Sequence, residues 1–268
     1  MKIALIGCGS IGTVIAQAIF ENKIDIKLES VYDTDVKKAT EFAKKFYTNY
    51  KTFDEILKED LDLIIEAASQ EAVKTLIPKA LEAKKNVMIM STGALTDDDL
   101  FQKIKMLAKK NELKVYLPSG AIAGLDGIKS ANITDLKTVT LKTTKPLKSF
   151  ANTPFFEKNK INLNDIRTKT IIYEGPAEEA TKLFPSNVNV AASLSLAGIG
   201  SKKTRVQIIA DPNIDKNIHE IIAEGSFGVL NIKVENVPSP DNPKTSYLAA
   251  LSAIATLKNI SEPIQVGT

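Results

Sequence analysis

Cysteine occurs once in the 268-residue chain, as Cys8, histidine once, as His219, and tryptophan not at all. A single thiol excludes an intramolecular disulfide framework and any zinc site built from cysteines, and it fits a reducing compartment. With one histidine there is no second imidazole four residues on for the helical zinc motif, so no metal is expected. Long apolar runs are missing too. The opening MKIALIGCGSIG is apolar for only a few residues before glycine interrupts it, which is not a signal-peptide layout. No stretch approaches the ~20 apolar residues of a membrane span. These absences predict a cytoplasmic protein with no membrane partner. Nor is charge of one sign concentrated: 35 basic and 32 acidic residues give +3, and the lysines are scattered, so nucleic acid is not an expected partner. What the chain does have is 44% hydrophobic residues, enough for one large or two modest cores.

Residues 2–6, KIALI, lead into GCGSIG at 7–12 and then into TVIAQAIFEN, apolar at helical spacing. Strand, glycine turn and helix in that order give GxGxxG its meaning. Gly7 permits the tight turn, Gly9 lets the backbone approach a pyrophosphate, and Gly12 lets helix and strand pack closely. Ser10 and Ile11 open the helix, where free N–H groups face phosphates. A second strand, IKLESVYD, runs to Asp33, 33 − 12 = 21 residues after Gly12. A carboxylate there accepts from the adenosine ribose hydroxyls and favours NAD, while Lys37 and Lys38 are near enough to leave NADP open.

Helical and strand-like segments keep alternating to residue 118, which predicts an α/β unit with a doubly wound parallel (Rossmann) sheet. Its strand ends put Ala67, Ala68, Ser69, Ser91, Thr92, Gly93, Ser119 and Gly120 at the rim of a cofactor cleft. Ser91 and Thr92 read equally well as plain strand-end hydroxyls. From Lys137 the rhythm changes to extended segments rich in Thr, Val and Ile, broken by two helical stretches, PAEEATKLF and NVNVAASLSLAG. A second, mixed α+β domain is therefore expected over 119–240. Its segments TRVQIIADP, NIHEIIAEG and VLNIKVENV suggest an antiparallel meander whose broad face needs a cover, and a homodimer supplies one. Residues 241–268 are expected to carry a helix back to the first domain, with Thr245 and Ser246 as possible caps.

Several segments resemble the L-aspartate dehydrogenase family: IIEAAS, MSTGAL, LPSGAIAGLDGIKSA, FPSNVNVAASLSLAG, NIHEI with the following GSFG, and ENVPSPDNPKTSYLAALSAIA. The resemblance covers almost the entire chain. It implies oxidation of L-aspartate with NAD or NADP to iminoaspartate, which hydrolyses to oxaloacetate and ammonia or feeds quinolinate synthesis. Carried over, it implies that Ala123 meets the cofactor through its amide, that Asn189 holds the nicotinamide end, and that His219 is the active-site residue.

The chemistry agrees. Taking hydride from an amino-acid Cα needs a neutral amine, and hydrolysing the imine needs an activated water, so a proton-transfer group titrating near neutrality is useful. His219 is the sole imidazole, although a lone histidine in an apolar strand, read without the resemblance, is a satisfied core residue. The two substrate carboxylates call for cations or helix-start amides. Lys244, Thr245 and Ser246 are candidates, as are Lys202, Lys203 and Arg205, each against the alternative of a solvated surface role. Two other readings stay open: a related two-domain NAD(P) reductase of another amino-acid-derived substrate, and a non-enzymatic NAD sensor.

Overall fold

A computed structural model describes residues 1–151, 153–159, 161–184, 188–239 and 242–267, and only the backbone of Pro154, Asn242, Pro243 and Lys244. The chain divides into two compact units. Met1–Pro118 and Ala249–Val266 form the first, and the second takes Ser119–Leu248.

The first unit runs β1 (Lys2–Ile6), α1 (Ser10–Phe20), β2 (Lys27–Tyr32), α2 (Val36–Lys45), β3 (Asn49–Tyr50), α3 (Phe53–Ile56), β4 (Leu63–Glu66), α4 (Gln70–Glu82), β5 (Asn86–Ile89), α5 (Asp98–Lys110) and β6 (Val115–Tyr116). Its six strands lie in the order β3-β2-β1-β4-β5-β6, all parallel. The doubly wound sheet is thus present, and its strand order reverses direction between β1 and β4, where such sheets bind ligands. β1 reads as an unbroken apolar run because Ile3, Ala4, Leu5 and Ile6 are all buried, as a strand with both faces covered demands. The helix starts are written locally: Asp35, Ser69 and Asp97 accept from the amides of Lys38, Ala72 and Leu100 at 3.0 to 3.1 Å. β3 and a 3₁₀ turn over Thr92–Thr96 are too short for any periodicity to have announced them.

The second unit runs α6 (Leu125–Ala131), β7 (Leu136–Lys145), α7 (Pro154–Lys158), β8 (Thr170–Pro176), α8 (Ala177–Leu183), α9 (Val188–Ala197), β9 (Arg205–Ala210), β10 (Asn217–Gly225), β11 (Gly228–Asn236), β12 (Pro238–Ser239) and β13 (Asn242–Ser246). Five strands form a mixed sheet in the order β11-β10-β7-β9-β8. The expected β9-β10-β11 meander does not form. Only β10 and β11 are a hairpin; β7 inserts between β10 and β9, antiparallel to the first and parallel to the second. β7 is the longest strand of this sheet, and Val139 and Leu141 on it are wholly buried, so pairing both of its edges completes the apolar face. α6, α8 and α9 cover that face through Ile128, Ala177, Ala180, Ala191 and Leu194.

α10 (Tyr247–Ser261) closes the chain, and its Ala253 and Leu257 are buried in the core of the first unit with Ile3, Leu5 and Met88. Among the described residues no helix is long and apolar enough to cross a membrane.

Candidate active site

The glycine turn is built as a dinucleotide would require. Gly7 has φ +100°, and a Cβ on it would stand 2.6 Å from the carbonyl oxygen of Ala67. A Cβ on Gly12 would stand 2.2 Å from the carbonyl oxygen of Gly7, so neither position tolerates a side chain. Gly9, which precedes the first turn of α1, has nothing within 4 Å of its missing Cβ. That open backbone before a helix start, where Ser10 and Ile11 lie, is where a pyrophosphate can approach.

Asp33 follows β2 and is tied into the same turn: its Oδ2 accepts from the Cys8 amide at 2.9 Å and from Lys38 Nζ at 3.4 Å, and its Oδ1 accepts from the Asp35 amide at 3.1 Å. Burial works to raise its pKa, but these donors outweigh burial and hold the carboxyl below its ordinary value. A cavity of about 400 Å³ opens beside it, walled by Tyr32, Thr34, Phe53 and Leu76 with Lys79 at its edge. Apolar walls next to a fixed carboxylate suit an adenosine, so the residues fit a dinucleotide. Cys8 is buried, and burial followed by the charge of Asp33 pushes its thiol up to about 12, which suits packing and not reaction.

Sequence reasoning missed Glu66. This wholly buried carboxylate accepts from the amides of Ala68 and Ser69, and from both the amide and the hydroxyl of Ser91, at 2.8 to 3.0 Å. It ties the ends of β4 and β5 together; burial raises its pKa, against the pull of those donors. The amides of Ala68 and Ser69 are therefore committed within the protein, and Ser69 Oγ caps α4. A carboxylate ending the apolar run LIIE was the available signal.

In the second unit the chemistry gathers at one end of the five-stranded sheet. Side chains two apart share a face. On the face covered by α6, α8 and α9, β7 reads Val139, Leu141, Thr143, Lys145. Its neighbour β10, read the opposite way, gives Ala223, Ile221, His219, Asn217, and β11 gives Leu230, Ile232, Val234, Asn236. Three adjacent strands turn from apolar to polar at the same end. Thr143, Lys145, His219 and Asn236 are all buried there.

His219 pairs in register with Thr143 on β7 and Val234 on β11, and its Nδ1 lies 3.0 Å from Thr143 Oγ1. When Thr143 accepts from Nδ1–H, the ring's lone pair stands on Nε2. Burial, and after it the charge of Lys145, push the imidazole down to about 3. The group expected to titrate near neutrality is thus held neutral well below it, because the only imidazole sits in a core beside a cation. Lys145 itself is pushed down by burial to about 8. Sequence reading passed over Lys145, one of 33 lysines, although it closes a strand that carries Val139 and Leu141 on the same face.

The remaining expected residues are placed as follows. Asn236 donates from Nδ2 to the carbonyl of Ala121 at 3.0 Å and accepts from the Ser246 hydroxyl, so one side chain joins the GAIAG segment to the NPKTS segment. Ala123 is exposed, and so is Asn189 in the first turn of α9. Thr245 and Ser246 line a cleft of about 60 Å³ with Lys148, Lys216 and Asn217. The Lys244 side chain lies outside the described residues. Lys202 and Lys203 are exposed, and Arg205, also exposed, faces Glu174 at 4.0 Å.

The family model described as aspartate dehydrogenase, C-terminal, matches residues 126–260, and that of the homoserine dehydrogenase NAD-binding domain matches 7–118. The chain is 49% identical to the L-aspartate dehydrogenase of Methanosarcina barkeri, with 100% of both chains aligned. It is 46% identical to that of Nitrosopumilus maritimus, covering 100% of this chain and 99% of the relative. Among solved structures, the aspartate dehydrogenase of Thermotoga maritima superposes with a TM-score of 0.76 at 30% identity, covering 100% of this chain and 99% of that one.

Proposed function

The chain belongs to the L-aspartate dehydrogenase family, and from that premise we propose that it oxidises L-aspartate with NAD or NADP to iminoaspartate, with His219 as the proton-transfer group. The observation that carries this reading is the buried, neutral imidazole oriented by Thr143 at the polar end of an otherwise apolar sheet face.

The turn at Gly7, Gly9 and Gly12 and the Asp33 carboxylate would hold the dinucleotide, whose chemistry would be to accept the hydride from the substrate Cα. The protein's own residues manage protons and charge. A neutral imidazole with its lone pair on Nε2 takes a proton from the substrate ammonium, leaving the free amine whose electron pair forms the C=N bond as hydride departs. Thr143 fixes the ring through Nδ1. Burial keeps the site dry, which protects the imine until a water is admitted. From the resemblance, the Ala123 amide would meet the cofactor and Asn189 would hold its nicotinamide end; Lys244, Thr245 and Ser246, from the lysine's charge and their position just before α10, are our candidates for the substrate carboxylates.

The assembly we infer is a homodimer in the cytoplasm. Ile171 on β8 and Val229 on β11, the two edge strands, are 54% and 68% exposed on the face of the five-stranded sheet opposite the helices, and we take that face as the one a second copy would cover. A monomer by light scattering would refute the dimer. For the reaction, reduction of NAD and NADP is followed with L-aspartate, with homoserine and glutamate as controls, in wild type and in His219→Asn. Aspartate-specific reduction that collapses in the variant while NAD still binds is the expected result. NAD binding without turnover on aspartate would overturn the reading in favour of a sensor or another substrate.

A further inference from the structure

Resting on aspartate oxidation as the reaction, we infer that Lys145 is the cation that receives one carboxylate of the dicarboxylate substrate, and that this contact converts His219 from an idle imidazole into a base.

Lys145 is the last residue of β7, two positions after Thr143, and so shares the face on which Thr143 orients His219. Lys145 is buried, 6% exposed, so its charge acts at short range and little screened on whatever occupies this end of the face. Position and chemistry agree on which anion. The substrate carries two carboxylates, and the reacting amine must come within hydrogen-bond reach of His219. A lysine one strand over on the same face holds a carboxylate while the amine reaches the imidazole.

Burial is the larger reason that the imidazole is so weak a base, and the same ammonium adds to it. The residues opposite His219 on its two neighbouring strands, Thr143 and Val234, do not titrate, and among the described residues the charged group that acts on the ring is Lys145. A carboxylate seated on Lys145 offsets the part of the depression that comes from the ammonium and adds a negative charge of its own. Proton affinity at Nε2 then rises when substrate is present and not before. The cation that locates the substrate is thereby the switch that lets the base work.

One imidazole in the chain makes the test direct, since its NMR signal needs no assignment. Succinate serves as a non-reactive dicarboxylate probe, and Lys145→Met removes the charge while keeping the length. In wild type saturated with NAD, succinate is expected to raise the His219 titration midpoint. In Lys145→Met the midpoint already lies higher without succinate and succinate no longer moves it. The KM for aspartate should rise about 10- to 100-fold in Lys145→Met, with NAD affinity unchanged and with partial recovery in Lys145→Arg. The succinate inhibition constant should also weaken above about pH 8 in wild type, as Lys145 loses its proton, and later in Lys145→Arg. If wild type turns over aspartate but Lys145→Met leaves KM, succinate inhibition and the His219 midpoint unchanged, the assignment of Lys145 is wrong and aspartate oxidation stands. If wild type neither turns over aspartate nor binds succinate, the reaction itself is wrong. A Lys145→Met chain that fails to fold hands the decision to Lys145→Arg: unaltered alkaline behaviour there overturns the proposal.

Discussion

A side chain at this site is defined by what it touches, and Thr143 is the clearest case. It is wholly buried with its hydroxyl 3.0 Å from His219 Nδ1, so it fixes the angle of the ring, and when it accepts from Nδ1–H the lone pair stands on Nε2. Thr143→Val keeps the shape and removes the hydroxyl. It should lower kcat about tenfold, equivalent to roughly 1.4 kcal/mol of lost transition-state stabilisation, while NAD affinity and the KM for aspartate stay near wild type. Thr143→Ser, which restores the hydroxyl, should recover most of the rate. A structural role alone would lower the melting temperature without separating kcat from KM, and steady-state kinetics on the three proteins distinguishes the two.

At the scale of the element, local pattern carried most of the information and pairing carried the rest. The strand–turn–helix order around Gly7, the alternation of β10 and β11, and the end of β2 at Asp33 were legible because each is a short-range rule about periodicity or backbone freedom. The insertion of β7 between β9 and β10 was not legible, since nothing in TVTLKTT says which two segments far along the chain will flank it. For the same reason Lys145 was missed: it becomes special only when β7 lies beside β10. Gly124 is an intermediate case. GAIAGLDG carries part of the family resemblance, and within it Gly124 has φ +75° before α6, where a Cβ would stand 2.2 Å from Ile232 Cδ1 on β11. Gly124→Ala should cost about 1–3 kcal/mol from the left-handed backbone and the collision together. Ile232→Val removes the colliding methyl. The double variant should therefore lose less than the sum of the two single changes in chemical denaturation; simple additivity would show that the contact is unimportant.

For the molecule as a whole, burying a histidine and a lysine at one end of a sheet makes stability depend on pH in a definite direction. The unfolded imidazole titrates near 6.5, whereas the folded one, buried and beside Lys145, does so at about 3. Between those values the unfolded state binds more protons, so stability falls as pH falls through that window. Lys145 acts in a second range: with an ordinary value of 10.5 and a folded value of about 8, it binds more protons unfolded over that interval, and stability rises as pH rises through it. At neutral pH the histidine therefore contributes no penalty, while the ammonium still bears its desolvation cost. The prediction is a comparison of wild type with His219→Asn, which cannot titrate, by denaturant unfolding across the acidic window. The two curves should run parallel above about 6.5 and separate below it, with wild type losing a few kcal/mol more by the time pH approaches 3. Curves that stay parallel would mean that His219 protonates in the folded chain as easily as in the unfolded one, and that its burial does not hold it neutral. Succinate added to the NAD-bound protein should narrow the separation, because an anion beside Lys145 lets the folded imidazole accept its proton at higher pH, linking the stability of the whole chain to occupation of the site.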